Sequence, residues 1–233
     1  TMKGRTILQI VLALVIVGLA VLLYNSIMKP VRFDNEYNKR REACAEKLKA
    51  IRTLEEAYKV TYGSYTGSFD TLIGRLMNED SMKTVVKVTN YDKIPADVDI
   101  NEVPEKEAVE KGYVSREEVF INPIAKLRED KKLPTVDATG HTVQMSDEQI
   151  RNLRYVPYPK GEKNEFELQA GTIDKSGFMV PVFECKVSLE TLLADMDKQQ
   201  RINKIAEIEK VVGRYAGWKV GDMTQAITDG NFE

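Results

Sequence analysis

The stretch 7–24, ILQIVLALVIVGLAVLLY, has Gln9 as its only polar side chain before Tyr24. An apolar run of this length can bury itself either inside a large core or in a bilayer. Extended to Met28, it reaches the roughly 20 residues that cross hydrocarbon as a helix, at about 1.5 Å rise each. A secretory signal has a shorter apolar core, about 7–15 residues, followed by a small-x-small cleavage site. Asn25-Ser26-Ile27-Met28 contains no such site. Residues 7–28 are therefore predicted to be an uncleaved signal anchor, with Ile7, Ile10, Leu14, Gly18 and Leu22 among the residues that carry it. Residues 1–6 form a short tail before it.

Charge does not decide which side the remainder occupies. Lys3 and Arg5 precede the anchor, and Lys29 and Arg32 follow it closely. Lys39, Arg40 and Arg41 add positive charge further on, which by simple counting favours a cytoplasmic domain. Long domains, however, translocate largely regardless of charge. Over the whole chain 34 Lys and Arg stand against 36 Asp and Glu, a net charge of −2. That balance argues against bulk nucleic-acid binding, which favours a strongly basic face.

The N-terminal pattern Gly4-Arg5-Thr6-Ile7-Leu8-Gln9 followed by an apolar run resembles the start of type IV pilins and pseudopilins. The resemblance makes Gly4 the residue before the processing point and Arg5 the first mature residue. Two positions depart from the family pattern. Gln9 stands where the family has an acid, which removes the salt link to a neighbour's N-terminal amine, and Arg5 replaces an aromatic residue. If Lys3 and Gly4 are retained in the mature chain, no prepilin peptidase has acted. A second point of similarity is the turn Tyr62-Gly63-Ser64-Tyr65 leading into a short helix around Leu72.

Pro30 is expected to stop or kink the first helix. A second, amphipathic helix follows over residues 35–62, with Ala43, Leu48, Ile51, Leu54, Ala57 and Tyr58 at three- and four-residue spacings. Lys47, Lys49, Arg52 and Glu55 are assigned to its solvated face. The apolar stripe packs either on a sheet in the same domain or on a neighbouring copy. Gly63 suits a left-handed C-cap, and a new helix is expected over residues 69–77.

Residues 83–89 alternate as a strand, 91–104 read as loop, and 105–111 as a short charged helix ended by Gly112. Ser115-Arg-Glu-Glu118 fits either a capping box or the start of a strand that includes Val119-Phe120-Ile121. Residues 29–128 thus form a helical or α+β membrane-proximal region, and 129–150 a linker or exposed hairpin. In residues 151–233, three runs, 153–158, 165–172 and 178–187, are predicted as an antiparallel meander, with Pro157 and Pro181 at edges or bulges. A long helix over 188–215 follows, carrying Ile202, Ile205 and Ile208 on one side. Phe232 is expected to tuck back onto the core. The expected class is α+β: transmembrane helix, amphipathic helix, antiparallel sheet and long C-terminal helix.

The two cysteines, Cys44 and Cys185, form one disulfide if the domain is extracytoplasmic, or stay separate core thiols in the cytosol. His141, the single histidine, sits in a Gly-containing turn far in sequence from either cysteine, which leaves zinc coordination and a Cys-His site without a recognisable setting. Glycine-rich phosphate loops and EF-hand spacing are missing from the sequence. No catalytic residue, cofactor or metal is therefore expected. The leading expectation is a non-enzymatic, single-pass protein of a bacterial inner membrane, its large domain periplasmic, serving as a structural subunit of a secretion-system or pilus-like assembly. Its partners are the lipid bilayer, other envelope proteins and further copies of itself, with no nucleic acid. The helices carrying Leu48, Ile51, Tyr58, Ile202 and Ile205 are the expected contact surfaces. A membrane-tethered adaptor, facing the cytoplasm, is the second reading; a hydrolase using His141 is the third.

Overall fold

The computed structural model describes residues 2–232, with side chains from Gly4 to Phe232. The Lys3 side chain, counted in the charge comparison, lies outside the described residues. The first element, α1 (Met2–Tyr62), is a single helix of 61 residues, roughly 90 Å long. It runs through Pro30, where a stop or kink is predicted. Proline removes one N–H and crowds the preceding turn. The helix survives because its next turns are held from outside: Phe33 and Tyr37, just past the proline, are already buried against the domain. It ends as expected, with Gly63 at φ +80 donating its N–H to the Lys59 carbonyl.

The chain then continues through α2 (Phe69–Asn78), capped by the Ser68 side chain, into β1 (Met82–Thr89). After a loop come α3 (Glu105–Glu110) and β2 (Val114–Ile121), which pairs antiparallel with β1 from Met82↔Ile121 to Thr89↔Val114. Ser115 to Glu118 are therefore strand, and the capping-box alternative is not adopted. The ribbon and its tip form an arm. Ala108 and Val114 are buried within it but stand outside the main core.

Next are α4 (Pro123–Glu129), β3 (Pro134–Val136), β4 (Thr142–Gln144) and α5 (Asp147–Arg151). Residues 129–150, read as a linker or an exposed hairpin, include the short hairpin of β3 and β4, pinned to the core by the fully buried Leu133.

The principal sheet has the order β5 (Glu167–Lys175), β6 (Phe178–Ser188), β7 (Gly217–Gly221), all antiparallel. Its membership corrects the predicted meander. Residues 153–158 do not form a strand: Asn152–Arg154 is a 3₁₀ turn, and Tyr155 makes one isolated bridge to Glu165. Their apolar side chains fill the core instead, with Leu153 and Val156 buried. Lys47 Nζ satisfies the carbonyls of Asn152 and Tyr155 at 3.0 and 2.7 Å, replacing a strand partner. The third strand, β7, lies just past the helix predicted over 188–215. Pro181 sits in β6 opposite Thr172, beyond the reach of β7, which pairs only with Glu184–Ser188.

The long C-terminal helix is also corrected. It is broken into α6 (Leu189–Leu192), α7 (Lys198–Ala206) and a π-helical segment, Glu207–Val212. Asp197 interrupts the apolar periodicity because its carboxylate accepts the Gln200 N–H and starts a new helix. The last residues return as expected: Asn231 donates its N–H to the Lys219 carbonyl, and Phe232 packs against the core.

One core joins α1 to the sheet and to α2, α4 and α6. Gly221 closes it, with φ +74 and no space for a side chain, since a Cβ would collide with the Phe183 carbonyl oxygen. Gly221→Ala is expected to cost about 2–4 kcal/mol from the left-handed backbone and the overpacking together. A lowered melting temperature, followed by near-UV circular dichroism, is the check.

Candidate anchor and its junction with the domain

The N-terminal half of α1 stands clear of everything else. Ile7, Ile10, Leu14 and Leu22 are each more than half exposed, and a Cβ placed on Gly18 would touch nothing within 4 Å. The most apolar 18-residue window has mean hydropathy 2.9, and none of it is buried. This is one helix long and apolar enough to cross a membrane.

The second half of the same helix is the spine of the core. Leu48 and Ile51 are fully buried, and Tyr58 is 6% exposed. These three expected contact residues are packed inside the domain rather than presented to a neighbour, because the sheet and the segment 152–158 cover their stripe. In α7, Ile205 is half-buried against the core and Ile202 is 45% exposed. Of the expected contacts, Ile202 is the one that faces solvent.

Arg40 fastens the helix to the C-terminal segment. Its Nη2 donates to Asp195 Oδ2 at 3.0 Å, its Nη1 to the Leu192 carbonyl at 2.9 Å, and its Nε to Glu36 Oε1 at 3.0 Å. The guanidinium also lies 4.7 Å from the centre of the Tyr158 ring. These hydrogen bonds hold the Asp195 carboxyl below the usual carboxylate range. Sequence reasoning counted Arg40 only as a topogenic charge. Its position, three residues after Tyr37 and four before Cys44, places it on the buried stripe, and that spacing was the available signal.

Glu55 overturns its assignment to the solvated face. It is fully buried, seven residues after Leu48 and four after Ile51, and therefore on the same stripe. Its Oε2 accepts the Thr66 N–H at 3.0 Å, while Oε1 has no partner. Burial pushes its carboxyl up to about 8, against the smaller opposing effect of the Thr66 bond. Cys44 and Cys185 are buried free thiols in the same core. Burial raises the Cys44 thiol to about 12 and raises Cys185 as well, with Cys44 and Glu55 adding to the latter effect. Thiols held protonated in this way are poor nucleophiles.

No family model, curated protein or solved structure matches the chain. Among the described residues, no group of three or more His, Cys, Asp or Glu side chains is placed to hold a metal ion. His141 lies in the exposed β3–β4 turn, its Nδ1 2.7 Å from Thr139 Oγ1, and its backbone N–H bonds to Asp137.

Proposed function

We propose that the chain is a single-pass protein of the bacterial inner membrane, its periplasmic domain acting as a non-enzymatic structural subunit of a secretion-system or pilus-like assembly. One observation carries this reading. The helix that exposes a membrane-length apolar surface is the same helix that forms the core of the domain, with no linker between them. A flexible tether lets a domain sample many orientations; a shared helix presents the same face at a set angle to the bilayer, as a subunit in a repeating or multi-part structure requires. The pilin-like pattern at Gly4 to Gln9 lies at the start of that helix and supports the same reading.

Mild detergent extraction from the native membrane, followed by native sizing, tests it. The expected result is a complex several times the 26.4 kDa of the chain, with partners or copies in fixed ratio. Recovery as a monomer alone would overturn the proposal. Alkaline phosphatase fused after residue 233 should be active if the domain is periplasmic; a fluorescent green protein at that position would instead report the cytoplasm.

A further inference from the structure

A cleft of about 580 Å³ opens where α1 meets the C-terminal segments. Tyr37 and Arg41 line it from α1, Lys204 from α7, and Arg214, Trp218 and Phe232 from the chain that follows. Its charges are unevenly spent. Lys204 is paired with Glu207, also in the lining, at 3.0 Å. Among the described residues, Arg41 and Arg214 make no ion pair with a carboxylate, although both residues line the same cleft. Arg41 lies 6.0 Å from the centre of the Trp218 ring, and Lys204 lies 5.4 Å from that of Tyr37.

We infer that this cleft binds a phosphate group, with Arg41 and Arg214 supplying the charge. Two uncompensated guanidiniums match the two negative charges of a phosphate, and their planar forks match its oxygens. A carboxylate brings one charge and two oxygens and would leave part of the donor set unused. The phosphate has two conceivable sources, a free phosphorylated molecule or a lipid headgroup. Distance favours the first. Tyr37 and Arg41 are nine and thirteen residues beyond Met28, about 14 and 20 Å along the helix. The headgroup layer extends only about 5–8 Å past the hydrocarbon on each side. The choice of source, though not the phosphate chemistry, rests on the anchor reading.

Trp218 is the chain's only tryptophan, so its emission reports on this cleft alone. The full chain in neutral detergent would be titrated with sodium pyrophosphate at constant ionic strength, with sodium chloride as control. Binding would be measured in parallel by equilibrium dialysis of labelled pyrophosphate. The expected result is saturable binding with a change in Trp218 emission, weakened at least tenfold in Arg41→Gln/Arg214→Gln. Both side chains are exposed, so the double variant should melt with the wild type. No saturable binding by dialysis, or equal binding by the variant, overturns the inference. The same titration in phosphatidylglycerol nanodiscs separates the sources. A retained response to pyrophosphate identifies a free ligand, and an emission already shifted and unresponsive identifies the headgroup. Wild-type emission that matches the double variant in both settings counts against either source.

Discussion

Aspartate in place of Leu48 is expected to unfold the domain, whereas aspartate in place of Ile202 leaves it folded. Leu48 has no exposed surface and lies one turn from Cys44 and one from Ile51 on the stripe that α1 packs into the core. The substitution removes about 1.5–3 kcal/mol of apolar burial and leaves a carboxylate without a partner, at several kcal/mol more. Domains of this size are stable by only about 5–15 kcal/mol, so the sum consumes much or all of that margin. Ile202 is 45% exposed, and exposed substitutions of this kind stay within about 0.5 kcal/mol. Limited proteolysis in detergent is the appropriate measurement, because the apolar half of α1 keeps its helical signal even when the domain is lost. Leu48→Asp should be cleaved throughout residues 63–232, and Ile202→Asp should show the wild-type pattern. A resistant Leu48→Asp protein would mean that α1 does not form the centre of the core. If Ile202→Asp also loses its native-membrane complex while remaining folded, α7 belongs to the assembly surface.

The second large effect concerns Glu55 and pH. Its carboxyl is raised from the ordinary 4.5 to about 8 in the folded chain. Between these two values the folded protein keeps the proton and the unfolded chain has released it. Raising pH through this window therefore pulls the equilibrium toward unfolding, and stability falls until about pH 8, where the slope ends. At 1.36 kcal/mol for each pH unit, the whole loss is about 3–5 kcal/mol. Glu55→Gln retains an oxygen for the Thr66 N–H and has no charge to bury. The variant should match the wild type near pH 5, melt progressively higher than it toward pH 8, and keep a constant lead above that. The quantity to measure is the difference in melting temperature between the two proteins, which removes the other titrating groups. A difference that does not change with pH would show that Glu55 stays ionised in the fold, with a solvent path to its carboxylate.

What could be read in the chain, and what could not, follows from how locally each feature is determined. The apolar run to Met28, the left-handed glycine after Tyr62, the β1 strand and the hairpin around Gly140 are set by neighbouring residues, and all were legible. The break at Asp197 was legible in principle, since an acidic N-cap sits inside the apolar pattern, but the periodicity on either side obscured it. The run 153–158 has strand composition and is a loop because α1 offers Lys47 as a partner for its carbonyls, a contact more than 100 residues away. Likewise Gly217 to Gly221 become strand only because β6 leaves an open edge. Arg40 and Glu55 were assigned by charge when their spacing placed them on the buried stripe. In a helix that forms the core, position outweighs residue type.

The passage of α1 through Pro30 has a mechanical consequence. About 50 Å of helix separates Met28 from Tyr62, and Arg40, Leu48 and Ile51 bind most of that length rigidly into the domain. On the proposed membrane reading, the apolar half of the helix and the domain move as the two arms of a lever with its fulcrum near the membrane surface. A 10° tilt of the apolar arm displaces the far end of the domain by about 9 Å, more than the gap across which side chains touch. Force applied to the domain would then reach the apolar arm as torque, with the single missing hydrogen bond at Pro30 as the softest point along the rod.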